Sequence, residues 1–198
     1  MTNQPTSLYD GLSRSGHGLI LLGLDPSING YGWVFAESAR PGHLEVKKGG
    51  VIKVPALKSP AKRRQIGQTV ADAFDARLGA LARGLSEVLA EGADLAVFEQ
   101  AAGGSSRSGT AWKSVGAAHG VTRGVCAALD LRTASVTAKE IKRATAGRGS
   151  SKNAVEAAMR RLVPSLGPVL DALPKSKREH VADACAALWV WTGKERRC

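Results

Sequence analysis

The hydrophobic pattern of the chain begins with three short strand-like segments. Residues from Gly18 to Leu24 are almost all apolar, as expected for a strand that is buried on both faces. Asn29 and Gly30 give a turn signal, and the segment from Tyr31 to Ala36 predicts a second strand. Residues 44–54 predict a third strand, although two lysines and two glycines weaken its pattern. A Rossmann domain is not expected, because its first strand would lead directly into a helix.

Helices and strands alternate over the rest of the chain. One apolar stripe, with steps of three or four residues, predicts a helix from Ile66 to Val88 that stops at Gly92. Residues 93–98 and 132–136 predict a fourth and a fifth strand. Further helices are predicted over residues 110–129, 137–146, 153–163 and 177–192. This order predicts an α/β fold with a five-stranded mixed sheet flanked by helices.

Length and composition favour one folded domain preceded by a tail. The 198 residues include 43% hydrophobic residues, which is enough for a core. The first 18 residues are polar and lack the apolar stretch of a secretory signal, so we expect a tail over 1–18 and a single domain over 19–198. No apolar run approaches the ~20 residues of a membrane helix, so no membrane association is expected. The 3 widely spaced cysteines favour a reducing compartment and a cytoplasmic location.

The charge of the chain predicts an anionic partner. It has 28 Lys and Arg against 17 Asp and Glu, a net charge of +11, and its isoelectric point is about 10.0. Nucleic acid is the first candidate, and an enzyme that is basic but unrelated to nucleic acid is the alternative. The glycine-rich segments do not fit a phosphate-binding P-loop, so no nucleotide cofactor is expected.

Two of the apolar strands end in a carboxylate. Asp25 follows the first strand and Glu99 follows the fourth, and ligands of open α/β sheets sit beyond the carboxyl ends of the strands. If these strands are parallel neighbours, the two carboxylates would repel each other unless a divalent cation lay between them. Oxygen ligands select Mg²⁺ or Mn²⁺. Singly, Asp25 could instead form a turn with Pro26, and Glu99 could pair with an arginine.

The last predicted helix carries a third polar element. His180 and Asp183 are three residues apart and therefore share a helical face with Ala187 and Val190. An aspartate on an inward face needs a partner or a metal ion. The alternative is a solvated Asp183 near the helix start and a surface His180.

Four motifs in order resemble those of RuvC-type Holliday junction resolvases. The first is Leu22-Gly-Leu-Asp25-Pro-Ser followed by Gly30-Tyr-Gly32, and the second is Val97-Phe-Glu99-Gln100. The third runs from Ala138 through Lys142 to Lys152, and the fourth is His180-Val-Ala-Asp183-Ala184. The match extends from about residue 19 to residue 191.

The resemblance implies an RNase H-like fold and a metal-dependent endonuclease that cuts four-way DNA junctions symmetrically, usually as a homodimer. By position, Asp25, Glu99 and Asp183 would be the acidic ligands of two Mg²⁺ or Mn²⁺ ions. His180 would be a further ligand or a proton-transfer group. The partners implied are branched DNA and a second copy of the chain.

Basic residues near these motifs are the expected DNA contacts. The family's third stretch has basic residues at the positions of Lys142 and Lys152, and Arg143 and Arg148 lie in the same segment. The loop between Gly147 and Lys152 could present backbone N–H groups to a phosphate. Arg107 and Lys113 follow Glu99 and are second choices. The alternative for each is an ordinary solvated surface charge.

Two departures from the family pattern favour a divergent branch, with a viral one among the candidates. Family members often carry a base-wedging Phe three residues after the motif Glu, where this chain has Ala102, so Trp112 could replace it. The spacing from Asp25 to Glu99 is longer than in compact bacterial members. Alternatives are therefore an RNase H-like nuclease for flaps, forks or RNA–DNA hybrids, and a non-catalytic nucleic-acid-binding module.

Overall fold

The computed structural model describes residues 18–100, 109–145, 147 and 152–195, with the side chains of all but 109–112, 152, 153 and 195. The predicted tail, apart from Gly18, lies outside these residues, as do Ala102 and the side chain of Trp112. Within the described part of the chain, no helix is both long and apolar enough to cross a membrane.

Five strands form one mixed sheet, as the sequence predicted. Their bounds are β1 Leu19–Asp25, β2 Tyr31–Ser38, β3 Glu45–Ile52, β4 Leu95–Gln100 and β5 Thr133–Thr137. The order across the sheet is β3-β2-β1-β4-β5. The meander β1-β2-β3 is antiparallel, while β4 pairs parallel with both β1 and β5. Consequently β1, β3, β4 and β5 all end at the same edge of the sheet.

Seven helices occur in the described part of the chain, and all except α1 belong to the two layers that flank the sheet. Their bounds are α1 Pro60–Gln65, α2 Val70–Leu89, α3 Gly109–Ala128, α4 Ala138–Thr145, α5 Lys152–Leu162, α6 Leu166–Asp171 and α7 Lys175–Glu195. One face of the sheet packs against α4, α5, α6 and α7, and the other packs against α2 and α3. Strand alternation explains the division, because Leu21 and Val97 face α7 while Leu22 and Phe98 face α2 and α3.

The predicted start of the long helix at Ile66 is wrong. Gly67 has a φ of 64° and interrupts the helix, and Thr69 and Asp72 form a capping box that starts α2 at Val70. Ile66 and Val70 are exposed, so the buried stripe begins only at Ala73. The prediction also lacked α1 and α6.

Helix α7 is the centre of the core on its face of the sheet. Its residues from Val181 to Leu188, except Asp183, are fully buried. A helix that is apolar on nearly all sides needs partners on all sides. The sheet provides one, and α4, α5 and α6 provide the others.

Two glycines let the backbone of α7 approach the sheet closely. A Cβ added to Gly23 in β1 would lie 2.3 Å from the carbonyl oxygen of Ala184. A Cβ added to Gly32 in β2 would lie 2.1 Å from the carbonyl oxygen of His180. Both obstacles are backbone atoms of α7, which a side-chain rotation cannot remove, so these positions require glycine.

The capping box that the sequence predicts at Thr137 begins α4. The Thr137 N–H donates to Glu140 Oε2 at 2.7 Å, and the Glu140 N–H donates to Thr137 Oγ1 at 3.2 Å. Lys194 Nζ of α7 lies 2.7 Å from Glu140 Oε1. The Lys194 hydrogen bond, together with those from Thr137, lowers the pKa of Glu140 from 4.5 to about 2. This carboxylate thus joins the start of α4 to the end of α7.

We predict that Gly32→Ala lowers the free energy of unfolding by ~1–3 kcal/mol, because the added methyl group forces α7 away from β2. Urea unfolding followed by circular dichroism measures the change. Gly116→Ala is the matched control, because a Cβ there would meet no atom within 4 Å on the exposed side of α3. The free energy of unfolding of this control variant should equal that of the wild type or exceed it by ~0.5–1 kcal/mol. Equal losses in the two variants would contradict the close approach of α7.

We predict that the stabilisation from Glu140 is lost in acid. Its pKa is lower in the folded chain than in the unfolded chain, so its contribution is complete above about pH 4.5 and falls as the pH drops towards 2. The difference in melting temperature between the wild type and Glu140→Gln should therefore shrink between pH 7 and pH 2.5. Glu87→Gln, at an exposed site on α2, is the control and should give a small difference at both pH values. A constant Glu140 effect would contradict the prediction.

Candidate active site at the carboxyl ends of the strands

Strands β1 and β4 place two carboxylates side by side. The parallel register pairs Leu24 with Phe98, so Asp25 and Glu99 come next on neighbouring strands, which lie ~4.8 Å apart. Asp25 is two residues after Gly23 and Glu99 two residues after Val97, so both carboxylates are on the α7 face of the sheet. The sequence prediction that these two residues meet at one sheet edge agrees with this register.

Helix α7 brings His180 against the first carboxylate. His180 Nδ1 lies 2.8 Å from Asp25 Oδ2, and the two side chains are only 16% and 19% exposed. His180 Nε2 is 3.7 Å from Glu179 Oε1, so the imidazole has carboxylates near both ring nitrogens. Asp183 follows one helical turn later and is half-buried. The structure therefore brings His180 and Asp25 into contact and places Asp183 on the same side of α7.

The Gly30-Tyr31-Gly32 motif has a structural explanation here. A Cβ on Gly30 would lie 2.2 Å from His180 Nε2, so the missing side chain leaves room for the imidazole. Tyr31, between the two glycines, points to the opposite face, where its hydroxyl lies 2.7 Å from Thr122 Oγ1 of α3. Burial raises the pKa of Tyr31 well above its usual range, so this phenol stays neutral. The motif thus accommodates His180 on one face and anchors α3 on the other.

The donor types of this site fit a hard divalent cation. Asp25, Glu99 and Asp183 offer carboxylate oxygens, and His180 offers an imidazole nitrogen, a set suited to Mg²⁺ or Mn²⁺. In the side-chain positions of the described residues, no three His, Cys, Asp or Glu side chains form a group that could hold a metal ion. The hydrogen bond from His180 engages Asp25 Oδ2 in this arrangement.

Helix α3 carries a second histidine, which lies near this sheet edge on the face opposite α7 and which no sequence motif indicated. The His119 ring makes an edge contact with the Phe98 ring, and the two ring centroids are 6.0 Å apart. The Arg123 guanidinium lies 5.1 Å from the centre of the Phe98 ring. Burial and then the charge of Arg123 lower the pKa of His119, and the negative charge of Asp25 opposes them. No local motif surrounds His119 in the sequence, so only the packing of α3 reveals that it lies near this edge.

Arg77 of α2 is another residue that the sequence analysis missed. Its NH2 group donates to the Ile28 carbonyl at 3.0 Å and to Asn29 Oδ1 at 2.7 Å, in the loop that follows Asp25. Its Nε donates to the Pro55 carbonyl at 2.9 Å, beyond the end of β3. A single guanidinium thus joins the loop of the first motif to the segment after β3.

The predicted DNA contacts that the structure describes are exposed. Lys142 and Arg143 lie on α4, which starts at the same sheet edge as the candidate site, and Lys113 lies near the start of α3. Gly147 ends α4 with a φ of 86°, and its N–H donates to the Lys142 carbonyl at 2.7 Å. Lys152 begins α5, but its side chain lies outside the described part. Arg107 and Arg148 also lie outside the described residues.

Comparison with known proteins identifies the fold through solved structures. No protein-family model and no curated protein matches the sequence. Thermus thermophilus RuvC, solved in complex with a Holliday junction substrate, is 21% identical with a TM-score of 0.66, over 90% of this chain and 96% of that one.

One yeast structure and one viral structure have a similar architecture. The yeast mitochondrial Holliday junction resolvase Ydc2 is 12% identical with a TM-score of 0.60, over 99% of this chain and 88% of that one. The fowlpox virus resolvase, solved with Holliday junction DNA, is 9% identical with a TM-score of 0.51, over 89% of this chain and 98% of that one. Together with the observed sheet order, these similarities show that the chain has the RNase H-like fold of the RuvC-type Holliday junction resolvases.

Proposed function

We propose that this chain is a metal-dependent endonuclease that binds four-way or otherwise branched DNA and hydrolyses its phosphodiester bonds. The observation that carries the proposal is the position of Asp25 and Glu99 at the ends of adjacent parallel strands, on the face that α7 covers with His180 and Asp183. The structures of similar fold include two resolvases solved with Holliday junction DNA, which supports branched DNA as the substrate class.

Asp25, Glu99 and Asp183 would hold the divalent ions, with His180 as a further ligand or a proton-transfer group. Bound in pairs, such ions activate a water molecule for attack on phosphorus and neutralise charge on the leaving oxygen. The residues of the chain position the ligands, because β1 and β4 fix two carboxylates by register and α7 supplies the third.

His180 has a suitable position for proton transfer. Its Nδ1 contacts Asp25, and its Nε2 lies close to Gly30 and 3.7 Å from Glu179 Oε1. A histidine that holds one nitrogen against a carboxylate keeps a defined ring orientation, and its other nitrogen can then donate or accept a proton.

The charge distribution suits a polyanionic substrate. The carboxylates lie in the middle of the sheet edge, at β1 and β4, while basic residues such as Lys142 and Arg143 lie beside it on α4. A net charge of +11 would attract DNA at long range, and the exposed basic side chains would contact phosphates.

A symmetric cut requires two active sites, and a twofold homodimer would provide them. One surface of α3 supports this part of the proposal. Gly116, Gly120 and Gly124 recur every fourth residue, are exposed, and would each have open space for a Cβ. Such a stripe allows another backbone to approach α3 closely.

Asp25→Asn should reduce cleavage of a labelled four-way junction at least ~100-fold in Mg²⁺ or Mn²⁺, because it removes a charged ligand while keeping the side-chain size. Junction binding should stay within about threefold of the wild type, since binding depends on the basic residues. Gel analysis of products and fluorescence anisotropy measure the two effects. Asp75→Asn, at an exposed site on α2, is the control and should cut normally.

The same assay separates the substrate alternatives. The wild type is compared on a four-way junction, a flap, a fork, an RNA–DNA hybrid and a linear duplex. Preference for a substrate other than the junction would replace the resolvase assignment with a related nuclease. Binding without any metal-dependent cleavage would indicate a non-catalytic module, and normal cutting by Asp25→Asn would contradict the metal site.

Lys142→Ala combined with Lys152→Ala should weaken junction binding for all sequences alike. Loss of two phosphate contacts should reduce the slope of log K against log salt concentration by about 1.8. Anisotropy titrations at several NaCl concentrations measure this slope. Arg40→Ala with Arg132→Ala, two exposed residues at the opposite sheet edge, is the control of equal charge change. An unchanged slope would remove Lys142 and Lys152 from the DNA interface.

A further inference from the structure

Residues 53–69, which we call the basic arm, connect β3 to α2 and contain α1. The arm carries five basic residues and no acidic one, and no Asp or Glu occurs anywhere between Glu45 and Asp72. The basic residues are Lys53, Lys58, Lys62, Arg63 and Arg64. None of them forms an ion pair with another described residue. The arm therefore holds almost half of the net positive charge of the chain without internal compensation.

Core packing does not explain the arm. No residue of α1 is buried, and no residue of the whole arm is fully buried. The lysines at 58 and 62 and the arginine at 64 are exposed to solvent. Like charges in such density repel each other, which is unfavourable for a segment that contributes nothing to the core.

The arm is nevertheless an ordered projection. Pro60 starts α1, Ser59 Oγ accepts from the Lys62 N–H at 3.3 Å, and the Arg63 guanidinium donates to the Lys58 carbonyl. At its base, Arg77 holds the Pro55 carbonyl, and at its end the capping box at Thr69 begins α2. The cationic side chains are thus displayed on a short scaffold that is fixed at both ends.

The sheet topology places the arm beside the candidate active site. Because β3 is antiparallel to β2 and β2 to β1, β3 ends at the edge where β1 ends with Asp25. Arg77 confirms this neighbourhood, since the same guanidinium contacts Pro55 in the arm and the Ile28–Asn29 segment after Asp25.

The arm and α4 lie on opposite sides of the carboxylates. The arm leaves from β3 and α4 leaves from β5, the two outer strands, while Asp25 and Glu99 lie on β1 and β4 between them. Four strand spacings separate β3 from β5, or about 19 Å. Phosphates of one DNA strand repeat about every 3.4 Å along the helix axis, so this edge corresponds to roughly five or six phosphates.

The geometry points to the basic arm as a second phosphate-binding surface, which holds the DNA backbone on the β3 side of the active site while α4 holds it on the β5 side. This inference rests on the proposed function, because it requires a DNA substrate at the same edge. Lys62 and Arg64 are the residues that we expect to contact phosphates. Arg63 is a positioning residue, because its guanidinium already binds the Lys58 carbonyl within the arm.

The test is the binding of a fluorescein-labelled four-way junction in EDTA, which prevents cleavage, at NaCl concentrations from 50 to 200 mM. Lys62→Gln with Arg64→Gln should weaken binding on the order of 10-fold at 100 mM NaCl and lower the salt slope by about 1.8. Lys62→Arg with Arg64→Lys keeps both charges and should bind like the wild type.

Arg40→Gln with Arg132→Gln is the matched control, because it removes the same charge from exposed sites at the opposite sheet edge. β1 alone is about 23 Å long, more than twice the ~10 Å Debye length at 0.1 M salt. The control should therefore bind within about twofold of the wild type. Melting temperatures equal to that of the wild type would show that all three double variants fold.

Each other result overturns the inference. If the wild type binds the junction and the arm variant matches the control, the arm is not a DNA contact, while the proposed function stands. If the wild type binds no DNA, both the proposed function and the inference about the basic arm are wrong. If the arm variant changes the oligomeric state in sedimentation without DNA, the exposed Leu57 and Ile66 identify the arm as an interface between copies of the chain instead.

Discussion

The close contact between the backbone of α7 and the sheet is the constraint on which the candidate site depends. Gly23 and Gly32 have no Cβ, so carbonyl oxygens of Ala184 and His180 occupy the space that side chains would fill. With any larger residue at these positions, α7 would stand further from β1 and β2. His180 would then lose its 2.8 Å contact with Asp25. The site is therefore built by tight packing of a buried helix, and it uses no flexible loop among the described residues.

This packing also explains the distribution of polar groups on α7. Nearly all residues from 181 to 192 are buried in a continuous core, because the helix has the sheet on one side and α4, α5 and α6 on the others. Asp183 is only half-buried and lies one turn from His180, close to the sheet edge where solvent and ligand can enter. Burial of a carboxylate further along the helix would be costly without a partner. The polar residues consequently lie where the core ends.

Negative and positive side chains lie close together at this sheet edge and have opposite effects on a phosphate group. Carboxylates at the ends of β1 and β4 would repel a phosphodiester, whereas basic residues on α4 and on the segment after β3 attract it. A divalent cation bound between carboxylate and phosphate would resolve the conflict, because each ion compensates charge on both sides.

The five strands, their succession along the chain, the capping box at Thr137 and the four motifs could be predicted from the amino-acid sequence. They depend on local alternation, local hydrogen bonds and residue identity. It did not determine the start of α2, since the apolar spacing of Ile66 and Val70 continued the helical stripe while Gly67 and the Thr69 cap ended it. Only the tertiary structure brought His180 to Asp25, revealed His119 and Arg77, and set residues 53–69 beside the site. These contacts join residues between 21 and 155 positions apart, and they depend on the pairing of strands and the packing of helices, not on any local pattern.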